Sequence, residues 1–435
     1  MEEEEESEWS DVYGEDSEDE GNTTAEQAHL GRDLQGIPWE QIRFSRDRYR
    51  ETRLQRYHNY HNLEVPREVL DQVSRRVPTG GRFYDFQLNT RKVWCTIVHF
   101  QLRNLVWATS KHDVYVMARN AVHHWSPLTR RATEVLNLDR PRNGASKVQI
   151  STTCVHQDLL VVGGFRGELV AKRLSQPELT CATRIAHDDS AITNAVELFD
   201  LPGGGSTRVL ASNNDAVVRV FDATSFQCMQ RFQFGWAVNY AVASPDRKLL
   251  AVVGDSPEGL LADFNSGKVV ATLQGHLDFS FAAAWHPSGN LFATGNQDST
   301  TRVWDIRYLA SALTVVRGRI GAVRSLRFSP DGNFLAMAEP ADFVHLLDVK
   351  SDFSRSQEID LFGEVAGIAF SPDSEAFFVG IEDVTYGSLL EFNRNRAARW
   401  QTSQATRRTM SHPEDMPIER EGDAMVMEQE VRSDE

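Results

Sequence analysis

Long hydrophobic runs are missing from this 435-residue chain: none approaches the roughly 18 consecutive apolar residues that a membrane-spanning helix requires. Cysteine is scarce. Cys95, Cys154, Cys181 and Cys228 form no CxxC pair and show no metal-ligand spacing, so neither a disulfide framework nor a zinc site is expected, and the thiols should sit reduced in strands. The motifs of catalysis are absent as well, with no HExxH, no GxSxG and no P-loop lysine pattern, which points away from an enzyme and from any cofactor. The stretch MEEEEESEWSDVYGEDSEDEGNTT has neither the basic segment nor the apolar core of a secretory signal or mitochondrial presequence, and an intracellular chain is expected.

Bases are missing from residues 1–20, which hold twelve acids, and the formal net charge of the chain is −16. Such a run cannot bury itself, and residues 1–35 are expected to form a disordered acidic tail. It either keeps the chain soluble or screens a basic surface. Ser17, followed by Glu18-Asp19-Glu20, lies in an acidic context like that favoured by casein-kinase-type enzymes, where phosphate would add to charge already present. Residues 394–435 are polar, mixed in charge and without periodicity, and read as a second disordered tail.

What the chain does contain is a repeat. QGHLDFSFAAAWHPSGNLFATGNQDSTTRVWDIR (274–307) opens on Gly-His, closes on Trp-Asp and alternates short apolar runs with turn residues. RGRIGAVRSLRFSPDGNFLAMAEPADFVHLLDVK repeats the plan, with Ser329-Pro330-Asp331-Gly332-Asn333 in place of His286-Pro287-Ser288-Gly289-Asn290, and Leu347-Asp348 in place of Trp304-Asp305. Closing pairs recur at Trp125-Ser126, Lys172-Arg173, Phe221-Asp222, Ala262-Asp263, Trp304-Asp305, Leu347-Asp348 and Leu390-Glu391. Their period, roughly 41–49 residues, is that of a four-stranded propeller blade, and seven blades are expected.

On these residues the chain resembles WD40-repeat proteins over 83–393, which implies an all-β fold: a seven-bladed WD40 β-propeller. The resemblance places a structural brace on His276, Thr294, Asp298 and Trp304, a hydrogen-bonded chain that gives partners to the polar atoms of a buried His and Trp. Although a His, an Asp and a hydroxyl meet there, the reading is structural and not catalytic. Phe221, Ala262 and Leu347 replace the Trp in other repeats, so those blades should rest on strand packing.

Residues 36–82 are neither acidic tail nor repeat. Ser45 is a candidate helix N-cap, Phe44 and Tyr49 occupy the positions of a hydrophobic staple, and the helix should run to about Asn59. Six arginines fall within Arg43 to Arg56, and Arg46, Tyr49, Arg50, Arg53 and Tyr57 form a mixed Arg/Tyr surface suited to contact. The candidates are packing on the propeller, a partner protein, or nucleic acid through phosphate contacts and stacking, the last disfavoured by the acidity of the whole chain. GIPWEQIRFSRDRYRETRLQRYHNYHNLEVP with FYDFQLNTRKVWCTIVHFQLRNLVWATSKHDVYVM is similar to the N-terminal part of a fungal and plant group of WD-repeat proteins without assigned activity. That likeness implies cytoplasm and nucleus. FYDFQLNT (83–90) is expected to complete the last blade and close the ring.

No constellation points to chemistry. Gly163, Gly164 and Gly167 lie between two strand-like runs and read as a hairpin turn, and His123-His124 alternate faces within one strand, so neither a catalytic nor a metal site is expected. A rigid ring that presents loops on two faces suits a non-enzymatic scaffold for other proteins. Trp304-Asp305-Ile306-Arg307 resembles the WDxR form found in substrate receptors of cullin-4 RING ubiquitin ligases, in which the matching Arg307 would touch the ligase adaptor.

Overall fold

The structure, a computed structural model, describes residues 21–56, 66–139, 147–188 and 191–396. Five antiparallel four-stranded sheets follow one another in the chain, over 106–137, 150–184, 193–233, 238–273 and 280–317. A further sheet of eight strands holds two more blades. They share the strand Ser356–Phe370, which pairs with Ala341–Asp348 along its first half and with Ala376–Glu382 along its second. At the handover Gly363 has φ 125°, and a Cβ there would stand 2.3 Å from Ile381 Cγ2, so the bend needs glycine. The blades therefore number seven, as the repeat spacing implies.

The strands of each blade are lettered a to d from the axis outwards. In blade 2 the b strand, Leu159–Gly164, is buried throughout, while the d strand, Leu179–Arg184, is mostly exposed. This gradient explains the sequence pattern: inner strands pack between neighbouring blades and are apolar or small on both faces, and only outer strands carry alternating polar residues. The a-to-b turns reuse one device. Ser329 Oγ accepts from Phe334 N (2.9 Å) and donates to Asp331 Oδ1 (2.7 Å), and Ser244 and Ser371 do the same work at 244–249 and 371–376. The fourth residue of each turn is left-handed, which is why Gly stands at 289 and 332 and why Arg247 and Ser374 are strained there.

Six of the seven closing pairs lie at the ends of c strands, but the pair expected at Leu390-Glu391 does not. In the register of the last blade Ala376 faces Asn393 just as Phe334 faces Asp348, so the equivalent pair is Phe392-Asn393. Neither residue carries a Trp-Asp signature, and spacing alone placed it two residues early.

Ring closure uses the N-terminal strand β2 (Tyr84–Thr90), which pairs with Ser388–Arg394 as the outer strand of blade 7. Gln357, from blade 6, clamps it: the carboxamide oxygen accepts from Phe83 N (2.6 Å) and Tyr84 N (2.8 Å), and the nitrogen donates to Tyr84 O (2.6 Å). Ahead of β2, the chain from Arg75 to Gly81 lies along the outer edges of blades 5 and 6, with Arg75 N bonded to Val315 O (3.1 Å) and Ser356 N to Pro78 O (2.9 Å). This covers strand edges that would otherwise be open to foreign strands.

The expected tail of 1–35 is too long. Strand β1 (Thr23–Thr24) pairs with β2, Thr24 and Gln27 form a reciprocal capping box on helix α1 (Ala25–His29), and Gln35 is buried with a bond from its Nε2 to Phe362 O (2.6 Å). The dense acidic run ends at Glu20, and beyond it, with only Glu26 and Asp33 up to residue 35, the composition permits packing. The calls on 1–20 and 397–435 lie outside the described residues.

Replacing Gln357 by Leu removes three hydrogen bonds to the closing strand and should cost about 2–3 kcal/mol, at ~1 kcal/mol each. Urea denaturation with unchanged cooperativity checks this, and an unaltered midpoint would remove Gln357 from the closure.

Candidate interaction face

In each blade the d-to-a connections and b-to-c turns fall at one end, and the a-to-b and c-to-d turns at the other. The brace expected in blade 5 lies at the first end. His276 Nδ1 is 2.9 Å from Asp298 Oδ2 and its Nε2 is 2.8 Å from Thr294 Oγ1, which also accepts from Trp304 Nε1 at 2.9 Å. Burial alone would push the Asp298 carboxyl up, but His276, Thr300 and the Leu277 N–H hold it below its ordinary value. Blade 6, which lacks the Trp, is not left to strand packing. The buried Glu339 carboxylate accepts the N–H groups of Arg319 (2.6 Å), Ile320 (2.6 Å) and Gly321 (3.0 Å) and meets His345 Nε2 at 2.7 Å. A different carboxylate thus does the same task, which no match to the repeat signature would reveal.

Helix α2 (Arg46–Arg56) lies on this end over blades 6 and 7. Ser45 Oγ accepts from Arg48 N at 3.3 Å as its cap. The expected staple does not form: Tyr49 packs on Trp39 and Phe362, with ring centroids 5.6 and 5.5 Å away, and Phe44 is exposed beneath Arg48. Arg46, Arg50 and Arg53 face the propeller. Arg46 bridges Asp33 and Asp360 (2.8 Å each), Arg50 bonds Asp342 (3.1 Å) and Asp360 (2.6 Å), and Arg53 pairs with Asp342. Arg50 also stacks between Phe343 and Phe362. Burial would lower the Arg50 pKa, but Asp360 and Asp342 outweigh it and raise it. Burial likewise favours neutral Asp360, and Arg50 and Arg46 reverse this, holding that carboxyl low. Arg46, Tyr49, Arg50 and Arg53 are thus engaged within the chain; Tyr57 lies outside the described residues. Arg307 is at the opposite end, exposed and bonded back to Asp305 through Nε (2.9 Å) and Nη2 (2.5 Å), which draws the Asp305 carboxyl down to about 2.

The axis of the ring is plugged. Arg327, on the a strand of blade 6, reaches across it to Tyr240 OH (2.7 Å) of blade 4, to Asn104 Oδ1 of blade 1 and toward Glu197 of blade 3 (3.7 Å), with its guanidinium 4.7 Å from the Trp107 ring. Tyr240 in turn donates to Glu197. Burial raises both the Tyr240 and Glu197 values. Nearer the d-to-a end, side chains bridge successive blades: Asn104 Nδ2 to Thr153 O (3.4 Å), Ser151 Oγ to Thr193 O (2.6 Å), Asn194 Nδ2 to Val238 O (2.9 Å) and Asn239 Nδ2 to Ser280 O (3.1 Å). Register shifts put Ser151, Asn194, Asn239, Phe281 and Ala366 at one equivalent bulge in blades 2 to 5 and 7, and Arg324, directly before Ser325 as Phe281 is before Ala282, takes the same place in blade 6. The belt stops at Phe281, and the next residue is Arg324.

Arg324 is 3 % exposed, and its Nε, Nη1 and Nη2 have no hydrogen-bond partner among the described residues. Its guanidinium lies 4.2 Å from the Phe281 ring centroid. Burial and then the neighbouring Arg103 lower its pKa, while Asp278 opposes them. His99 feels the same surroundings: burial, Arg103 and Arg324 push it down to about 4, so it is neutral at physiological pH. Around this mouth Phe100, Leu277 and Phe279 stand exposed on d-to-a connections.

Comparison with known proteins agrees with this geometry. The family "WD domain, G-beta repeat" matches residues 267–305, the segment that carries the brace. The chain carries a WD40 repeat within a β-propeller fold. Residues 321–360 of the propeller also match an uncharacterised protein domain, DUF2415. An uncharacterised protein of Schizosaccharomyces pombe is 28 % identical over 197 residues, covering 42 % of this chain and 56 % of that protein. The target of rapamycin complex subunit wat1 of the same organism is 34 % identical over 109 residues, 24 % of this chain and 34 % of its own length. The chain thus spans only about a third to a half of these relatives. A chain in the crystal structure of a mitotic checkpoint complex superposes with a TM-score of 0.58 at 18 % identity, over 77 % of this chain and 97 % of that one, and shows the fold alone.

Sequence reasoning on the WD40 propeller named Arg307 and the α2 arginines and missed Arg324 and Arg327. The signal was present: both lie in VRSLRF (323–328), Arg324 directly before and Arg327 within the a strand Ser325–Phe328 of blade 6, where small or apolar residues are expected. Among the described residues, no group of three or more His, Cys, Asp or Glu side chains is placed to hold a metal ion.

Replacing Asp342 by Ala leaves Arg50 and Arg53 without their carboxylate, a loss of about 3–5 kcal/mol for a buried pair. It should free α2 from the propeller and raise tryptic cleavage at its arginines at least tenfold. Burial holds the Asp342 carboxyl above its ordinary value despite Arg53 and Arg50, while Arg50 and Arg46 hold Asp360 below its own. As pH falls the Asp342 pairs should therefore be lost first, starting above the ordinary carboxylate range, and the Asp360 pairs last, an order that amide hydrogen exchange of α2 against pH would follow. Equal cleavage of both proteins at pH 7 would show that these ion pairs do not hold the helix.

Proposed function

We propose that the protein is a non-enzymatic interaction scaffold of cytoplasm and nucleus whose partner docks on the d-to-a end, over the mouth of the ring. One observation carries this reading. Phe100, Leu277 and Phe279 are exposed on the d-to-a connections that lead into blades 1 and 5, the buried Arg324 of blade 6 has no hydrogen-bond partner among the described residues, and α2 covers the outer part of blades 6 and 7. Aromatic residues beside an arginine are the side chains that dominate binding energy at protein interfaces. The relatives support the same class: one is named as a subunit of a target of rapamycin complex, another as a ribosome biogenesis protein. A nucleic-acid role through α2 gains nothing from the geometry, since Arg46, Arg50 and Arg53 are already neutralised by aspartates.

A second reading, a substrate receptor of a cullin-4 RING ligase, draws on Arg307. Its exposure at the end opposite α2 leaves room for an adaptor, and Asp305 fixes its direction.

Both readings are tested by quantitative mass spectrometry of proteins that co-purify with the full-length chain and with two variants. Phe100→Asp with Phe279→Asp should reduce capture of its principal partners at least tenfold, and Arg307→Glu should leave capture unchanged. Loss on Arg307→Glu alone, with the cullin adaptor among the proteins lost, would reverse the assignment of the two faces.

A further inference from the structure

Arg324 lies in a cavity of ≈ 10 Å³, room for about one water-sized sphere, between the inner strands of blades 1, 3, 4, 5 and 6. Only something slim can enter it, such as the tip of an extended side chain. An arginine stays charged even when buried, and its planar fork matches a carboxylate. The charged and titratable groups around it leave that fork open. Arg103 is committed to Glu364 at 2.7 Å, His99 stacks on Phe100, and Asp278 lies nearby but bonds the Phe279 N–H at 2.7 Å.

The chain itself carries matching carboxylates. Residues 1–20 hold twelve acids and no base. Their point of attachment is at the d-to-a end: Thr23 pairs with Asn89 near the end of β2, and Asn22 Oδ1 accepts from Arg91 N at 3.2 Å, where the connection bearing His99, Phe100 and Arg103 begins. From β1 to the a strand of blade 7 the path crosses four strand spacings, about 19 Å. Twenty extended residues span up to ~66 Å. Reach is therefore ample.

We propose that Arg324 is a carboxylate-binding site at the mouth of the propeller, and that the acidic run 1–20 occupies it in cis and competes there with an acidic segment of the partner. The inference rests on the mouth being the partner face and adds the chemistry that regulates it. Tethering gives the tail an effective concentration in the millimolar range, so a partner must displace it.

The test uses a fluorescein-labelled peptide of residues 1–20, with fluorescence anisotropy as the readout. Three full-length proteins are compared: wild type, a variant with its twelve tail acids changed to the corresponding amides, and that variant with Arg324→Gln. The peptide should bind the amide-tailed protein at least tenfold more tightly than wild type, lose that gain with Arg324→Gln, and weaken steeply between 50 and 500 mM salt, as charge pairing requires. Arg324→Gln removes an unpaired buried cation, so its Tm should equal or exceed that of the parent, which separates lost binding from lost fold. Equal binding to wild type and amide-tailed protein would overturn the tail as occupant, and binding indifferent to Arg324→Gln would overturn the site. Partner capture through Phe100 and Phe279 does not enter this measurement, so its failure is distinguishable from failure of the partner face.

Discussion

The antiparallel pairing of Tyr84–Thr90 with Ser388–Arg394 joins two segments about 300 residues apart, and the rest of the architecture is conditional on it. A propeller without this seam has two open ends: blade 7 lacks its outer strand, and blade 1 lacks its neighbour. The a strands, buried on both faces, would then be exposed at the gap, where they are at once apolar and able to pair. Gln357 and Tyr84 reinforce the seam from both sides, the first by clamping the start of β2 and the second by a bond from its hydroxyl to Ser374 O (2.7 Å). The cross-axis contacts of Arg327 with blades 1, 3 and 4 need the ring closed, whereas the Asn and Ser bridges need only successive blades in place.

Charge in this protein is sorted by position. Three arginines of α2, Arg46, Arg50 and Arg53, are matched by three aspartates, Asp33, Asp342 and Asp360, and this sector of the d-to-a end is covered. The axis is matched too, by Tyr240 and Glu197 around Arg327. Arg324 lies between these two neutralised regions and is matched by neither. A buried cation without a protein partner lowers stability, a cost that the proposed carboxylate at the mouth would offset.

How much of this was legible in the sequence depended on whether the information was periodic or individual. The blade repeat, the closing role of 83–90 and the His276–Thr294–Asp298–Trp304 chain could be read because spacing and the Gly-His to Trp-Asp signature encode them. The last closing pair was misplaced by two residues because Phe392-Asn393 bears no signature and the register came from strand pairing. The acidic tail was drawn too long because composition changes gradually after Glu20, whereas order begins at a specific capping box, Thr24 with Gln27. Glu339 went unseen for a different reason: its partners are backbone N–H groups, which leave no trace in residue identity. The α2 surface was left open between packing on the propeller, a partner protein and nucleic acid, because a helical wheel shows which residues share a side and not what that side meets.

Closure by β2 has a consequence for how the chain is made. Synthesis proceeds from the N-terminus, so β2 is available about 300 residues before Ser388–Arg394 exists, an interval of roughly 15–60 s at ~5–20 residues per second. Throughout it, FYDFQLNT is an unpaired, apolar strand on the ribosome with six blades accumulating behind it. The early N-terminal segment, with its Arg/Tyr helix and the run that later lines blades 5 and 6, has no native surface to rest on either until those blades appear. The strand that closes the ring is thus among the first made and the last to find its blade.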